Sequence, residues 1–317
     1  MENMIKFGTP VIDALRLCYV AEPSLLQDLS SLNVKSNRKF GDFTLTRVAA
    51  DRFEYFFIIS FDTGRARKEL GSLKFGRYGA ADSLYVYYQV QNGILYDREL
   101  LDQALCFPDL LGLYFNNFTA IDIALDHKKN ISAIIKRMMR NEKITTILNG
   151  KAIKDRKELI KGLDFNFSSS LSRLHCQTIT LKQAKAARNK SKGITIQSYD
   201  KKAEIEMQSG KDYILNHYGN PRHLFRLEVR LSYANLKGYF SKLGQPQTIA
   251  SLFDTAVLED LFFFSLSSVL RFSRGRKPFF RHIHNNRLLT LFLRQKKQAL
   301  TNSCKCLNFL LSLLEKI

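Results

Sequence analysis

The sequence predicts an α+β protein: an antiparallel sheet with helices packed on one face, followed by a helical C-terminal region. Three observations predict it. Short stretches alternate apolar and polar residues with period two, as in Ile121-Asp122-Ile123-Ala124-Leu125-Asp126 and Leu224-Phe225-Arg226-Leu227-Glu228-Val229-Arg230-Leu231. Segments with helical spacing interrupt them, as at Ile131, Ile134, Ile135 and Met138. From Thr248 onward the helical pattern takes over.

In chain order, Ile12 to Tyr19 and Phe43 to Phe61 read as strands, the second rich in aromatic and β-branched residues from Arg52 onward. Gly71 to Gly79 reads as a glycine-bearing loop between strands. Leu84 to Val90 is a strand, ended by a turn at Asn92-Gly93. Arg98 to Leu113 is a helix, Thr119 to Asp126 a strand, and Ile131 to Asn141 a helix. Ile144 to Lys161 is compatible with either type and holds a turn at Asn149-Gly150. Lys182 to Lys192 is basic and polar, a loop before the strand Gly193 to Glu204. Pro278 breaks the C-terminal helical pattern, and a final helix is expected from about Asn302. The expected division is a domain over 1–247, with its motifs in 115–245, and a basic helical region over 248–317.

The chain has 317 residues, 45% of them hydrophobic, ample for one large domain or two modest ones. Its net charge is +20 and its isoelectric point about 9.8. The charge is uneven. Residues 127–202 carry 19 Lys/Arg against 5 Asp/Glu, and residues 261–317 carry 11 against 1, leaving −4 for the remainder. Basic blocks of this size are the electrostatic footprint of phosphate binding. Cys18, Cys106, Cys176, Cys304 and Cys306 include no Cys-x-x-Cys pair, so neither a disulfide framework nor a zinc finger is indicated. Met1 to Phe7 has no apolar leader and no apolar run approaches about 18 residues, so a cytoplasmic protein without membrane association is expected. Neither a phosphate-binding Gly-x-x-x-x-Gly-Lys-Ser/Thr loop nor a serine-hydrolase elbow is present.

On a strand, residues i, i+2 and i+4 share a face, so Asp122, Ala124 and Asp126 oppose Ile121, Ile123 and Leu125. Likewise Arg226, Glu228 and Arg230 oppose Phe225, Leu227, Val229 and Leu231. Carboxylates on strand faces of a very basic protein could be half-buried residues facing water, or oxygen ligands for a divalent cation beside a phosphate. Between these strands lies a third, ending in Tyr199-Asp200-Lys201.

The order of these motifs resembles the replication initiation factors of rolling-circle plasmids and the related relaxases of integrative elements. That family reads Arg-Ile-Asp-Leu-Ala-x-Asp at the first strand; here Ala120 replaces the Arg. Tyr199-Asp200-Lys201 matches the family's Tyr-Asp-Lys, and Arg226 with Glu228 matches its Arg-x-Glu. The resemblance implies a five-stranded antiparallel sheet and a tyrosine that nicks origin DNA, forming a 5′-phosphotyrosyl link and freeing a 3′-hydroxyl primer. It implies Mg²⁺ or Mn²⁺, with Asp122 and Glu228 as first ligands and Asp126 and Glu204 as second, and Lys201 neutralising phosphate charge. The family's tyrosine follows the Arg-x-Glu strand by about ten residues. Tyr239, eleven beyond Glu228, fits better than Tyr233. The implied partner is single-stranded or cruciform origin DNA, with a host helicase and a homodimer as further associations. Arg226, Arg230, Arg271, Arg274, Arg276, Lys277 and Arg281 are the expected DNA-binding residues. A transfer relaxase of the same family and a DNA-binding protein without catalysis are the alternatives, as is an RNA-binding protein. His282-Ile283-His284 offers a second metal motif, of the His-hydrophobe-His kind.

Overall fold

A computed structural model describes residues 7–50, 53–76, 84–153, 178–182, 193–274 and 277–278, with backbone alone at 274 and 277–278. Its elements are β1 (Pro10–Val20), α1 (Pro23–Ser30), β2 (Asn37–Phe40), β3 (Phe43–Val48), β4 (Tyr55–Asp62), β5 (Arg67–Phe75), β6 (Tyr85–Val90), α2 (Arg98–Leu110) and β7 (Tyr114–His127). There follow α3 (Ile131–Arg140), β8 (Ile144–Leu148), β9 (Lys151–Ala152), β10 (Ile179–Lys182), β11 (Thr195–Asp200), α4 (Lys201–Glu204), α5 (Asp212–His217) and β12 (Phe225–Ser232). The chain continues through α6 (Tyr233–Leu243), α7 (Ile249–Leu252), α8 (Thr255–Val269), β13 (Leu270–Arg274) and β14 (Lys277–Pro278). The protein is α+β, and its strands pair in antiparallel fashion, as between β1 and β6, β4 and β5, and β11 and β12. Among the described residues no helix is long and apolar enough to cross a membrane.

The chain forms two compact units. Unit 1 comprises residues 1–11, 123–231 and 248–317; unit 2 comprises 12–122 and 232–247. β7 contributes its first part to unit 2 and its last part to unit 1. The described residues from Thr248 onward group with the Tyr199 and Glu228 strands. The charge follows the units: unit 1 carries 35 Lys/Arg against 15 Asp/Glu, while unit 2 balances at 14 against 14.

In unit 2 the strands run β2-β3-β4-β5-β6-β1, with β7 beside β1. α2 covers one face. The Asp97 carboxylate caps it by accepting from the Leu100 N–H at 3.1 Å. Leu101, Ala104 and Phe107, at spacings of three, are buried. The Phe107 ring lies 4.9 Å from that of Phe43, and the Tyr88 hydroxyl donates to the Ala104 carbonyl at 2.9 Å. The core beneath is made by Leu45, Phe57, Ile59, Leu73 and Tyr88, all at most 1% exposed.

The stretch expected to be a loop at Gly71 is instead the inner half of β5. A β-carbon at Gly71 would lie 2.4 Å from the Gln89 carbonyl oxygen, so the glycine is what lets β5 approach β6. Asn92-Gly93 opens a short 3₁₀ turn, Asn92–Tyr96, rather than a two-residue hairpin.

In unit 1 the order is β10-β11-β12, with β7 next to β12, and a second sheet runs β9-β8-β13-β14. The ambiguous stretch at Ile144 resolves as the hairpin β8–β9, whose turn residues Asn149 and Gly150 have φ of 50° and 79°. α3 is capped by Asn130 and buries Ile131, Ile135, Met138 and Met139. Its Ser132 hydroxyl meets that of Ser198 on β11 at 2.9 Å. Two sequence expectations change here. The Tyr199 strand ends at Asp200, whose carboxylate caps α4 by accepting from the Ala203 N–H. Arg271 to Arg274 is a strand paired with β8 rather than a helix or loop. Pro278 stands opposite Ser273 in β14. Of the expected loop Lys182 to Lys192, Lys182 is instead the last residue of β10, and the rest of it and the final helix from Asn302 lie outside the described residues.

Candidate functional site

β11 and β12 are antiparallel, with Tyr199 opposite Arg226, Gln197 opposite Glu228 and Thr195 opposite Arg230. These side chains share one face, while Ser198 and its β11 neighbour Ile196 belong to the face covered by α3. The alternation expected from sequence is thus the one observed.

On this face the carboxylates are matched to cations and hydroxyls. The Arg226 guanidinium donates to both oxygens of Asp126, Nε to Oδ1 and Nη2 to Oδ2, each at 2.7 Å, and both side chains are fully buried. The Tyr199 hydroxyl donates to Glu228 Oε2 at 2.9 Å, and Arg230 Nε donates to Glu228 Oε1 at 2.6 Å. Glu228 is buried, but half of the Arg230 side chain remains exposed. Lys201, buried at the start of α4, donates from Nζ to Glu204 Oε2 at 2.7 Å. Its ammonium also stands 5.7 Å from the Tyr199 ring centroid. Burial lowers the pKa of the half-buried His217, and the Asp126 carboxylate partly opposes that shift.

Three of the four carboxylates expected to hold Mg²⁺ or Mn²⁺ are already engaged by side chains of the protein. Asp126 spends both oxygens on Arg226, Glu228 is held by Tyr199 and Arg230, and Glu204 is held by Lys201. Three side-chain cations already neutralise the three acids, and a divalent ion would have to displace them. Among the described residues no three His, Cys, Asp or Glu side chains come together as a metal site. Asp122 is half-buried at the end of the unit 2 part of β7.

The DNA-binding candidates divide. Arg226 is enclosed and committed to Asp126, so it is not presented to a ligand. Arg230 is presented, oriented from beneath by Glu228. Arg271 is partly exposed on β13, with its Nε buried and without a hydrogen-bond partner among the described residues. Arg274 and Lys277 have a described backbone only; Arg276, Arg281, His282 and His284 lie outside the described residues.

The two candidate nucleophiles are separated by helix geometry. α6 starts directly after β12, with Ser232 and Asn235 forming a capping box, and ends at Gly244 with φ 62°. Leu236, Tyr239 and Phe240 form its buried stripe. Tyr239 is 3% exposed, with its ring edge-on to that of Phe240. Tyr233, Lys237 and Ser241 fall on the other side, each four residues apart. Tyr233 is 39% exposed, and Lys237 Nζ lies 5.8 Å from its ring centroid. Together with Asn116, Asn117, Gln245 and Gln247 of unit 2 they line an open cleft of about 310 Å³. Sequence spacing favoured Tyr239 over Tyr233. The helical period from Leu236 sets Tyr239 on the buried side of α6 and Tyr233 on the exposed side.

No protein-family model, curated protein or solved structure matches the chain.

Proposed function

We propose that this protein binds single-stranded DNA in the cytoplasm and nicks it through Tyr233, as a rolling-circle replication initiator does. The observation that carries the reading is an exposed tyrosine in the first turn of a helix, in an open polar cleft, with a lysine one turn on. The order of Tyr199-Asp200-Lys201, Arg226-x-Glu228 and a following tyrosine agrees with it. So does a net charge of +20.

The reaction is a transesterification. The Tyr233 oxygen attacks the phosphorus, and a new P–O bond to tyrosine forms as the bond to the upstream 3′ oxygen breaks. The phenolic proton passes to water, and the departing oxygen takes one up to become a free 3′-hydroxyl. The number of phosphodiester bonds is conserved, so no external energy source is needed. An unperturbed tyrosine with pKa near 10 is a weak nucleophile at neutral pH. Lys237 supplies positive charge beside the ring, where charge develops in the transition state. In unit 1, Arg230, held by the buried Glu228, offers a half-exposed guanidinium suited to a phosphate. The same nick serves a mobilisation relaxase.

A second reading, a DNA-binding protein without catalysis, is favoured by the neutralisation of Asp126, Glu228 and Glu204 by side-chain cations. Covalent capture separates the two. Labelled single-stranded oligonucleotides tiled across the encoding replicon are incubated with the chain and resolved under denaturing conditions. The nicking reading expects a denaturant-resistant adduct on the 5′ side of one cut, lost in Tyr233→Phe and kept in Tyr239→Phe. An adduct that survives Tyr233→Phe refutes the assignment. Binding without an adduct from any oligonucleotide favours the second reading.

A further inference from the structure

The two faces of the unit 2 sheet are furnished differently. α2 covers the face of Phe57, Leu73 and Tyr88. On the opposite face the pairing register sets Phe56 beside Lys74 and Lys74 beside Tyr87, across three neighbouring strands. Tyr87 in turn stands opposite Cys18 on β1, and Tyr85, two residues earlier, shares its face opposite Val20. The Asn116 amide reaches Cys18 Sγ at 3.8 Å, so β7 joins this face through Asn116 and, by alternation, through Tyr114.

A sheet face turned toward water ordinarily carries polar side chains. This one carries rings. Tyr85 is 47% exposed and Tyr114 is 62% exposed. The Tyr87 ring is half-buried and packs on Phe53 at 5.9 Å. Lys74 Nζ stands 5.0 Å from the Phe56 centroid and 5.8 Å from that of Phe53. Arg16, opposite Gln89, is exposed on the same face. Neither Lys74 nor Arg16 is in an ion pair among the described residues. With strands about 4.8 Å apart, Tyr87 and Asn116 are about 10 Å apart. Beyond them α6 packs on β7, Phe240 over Phe118 at 6.3 Å, and presents Tyr233 and Lys237.

We propose that this face is a platform for single-stranded DNA. Unpaired bases stack on Tyr85, Tyr87 and Tyr114, Lys74 and Arg16 meet the phosphates, and the platform leads the strand to the Tyr233 cleft. The inference rests on the DNA-binding reading and is independent of whether Tyr233 cuts. Exposed rings select unpaired bases, because a duplex keeps its base faces stacked on one another. Lys74 and Arg16, in no ion pair among the described residues, supply the matching charge.

The test is fluorescence anisotropy of the full chain with a labelled oligothymidylate and with a duplex of equal length. Tyr85 and Tyr114 are exposed, so Tyr85→Ala and Tyr114→Ala leave the fold intact, which circular dichroism verifies. Each is expected to weaken oligothymidylate binding about tenfold, with duplex binding unchanged. Tyr85→Phe and Tyr114→Phe keep the ring and are expected to bind as the parent. If both alanine variants bind oligothymidylate like the parent, the platform is wrong and the DNA reading stands. If the parent binds neither DNA, the DNA reading falls and the platform with it. An RNA oligomer bound more tightly than DNA, and weakened by the same variants, overturns the DNA assignment. Variants that change the oligomeric mass but not DNA affinity assign the face to a second copy of the chain instead.

Discussion

The Asp126–Arg226 pair is the interaction whose removal has the most calculable consequence. Arg226→Leu keeps much of the aliphatic volume and removes both donors. Two charge-assisted hydrogen bonds at 2.7 Å disappear, each worth about 1.5–3 kcal/mol. Asp126 is fully buried, so water cannot replace them. Breaking one side of such a pair costs about 3–5 kcal/mol, a large part of the stability of a typical domain. The double variant Asp126→Leu/Arg226→Met replaces the pair by apolar groups and should recover most of that loss. The assay is urea denaturation followed by far-ultraviolet circular dichroism and tyrosine fluorescence, since the chain has no tryptophan. A single variant that costs less than about 1 kcal/mol would mean that Asp126 finds other donors or water, and the seam between β7 and β12 would then not be closed to solvent.

Gly71→Ala places a β-carbon 2.4 Å from the Gln89 carbonyl oxygen and 2.9 Å from the Tyr88 ring, so it should destabilise the protein by about 1–3 kcal/mol in the same urea assay. Burial holds both His127 and His217 below their ordinary value of 6.5. The stability that comes from keeping them neutral is therefore fully present above pH 6.5 and is lost as pH falls below it through the lowered folded values; His217→Gln should flatten that decline. If the C-terminal basic block holds phosphates, replacing Arg274, Arg276 and Lys277 with Ala should flatten the salt dependence of single-stranded DNA binding, by about 0.7 in log–log slope for each phosphate no longer neutralised.

Much of this fold was legible because it rests on local periodicity. The strands at Ile12, Leu84 and Leu224 and the helices at Arg98 and Ile131 each bury one apolar pattern, and each lies within a few residues of its expected place. β5 was missed because Gly71 looks like a loop residue until its neighbour is known: the close approach of Gln89 is a property of strand pairing, which local sequence does not contain. β13 was missed for a related reason. Leu270 to Arg274 follows a long apolar helix, and only its partner β8, more than a hundred residues earlier, makes it a strand.

The site divides along the same line. Alternation alone correctly set Arg226, Glu228 and Arg230 on one face. It could not say that Asp126 would be claimed by Arg226, because that match depends on which strand lies next to β12. Hence a residue matched to a family's metal ligands can also be one half of an internal ion pair, as Asp126 is. The tyrosines of Leu84-Tyr85-Val86-Tyr87-Tyr88-Gln89-Val90 show the opposite case. Period two already set Tyr85, Tyr87 and Gln89 against Val86, Tyr88 and Val90. Only the position of α2 decided which of the two faces would be the core, and therefore which tyrosines were left facing outward.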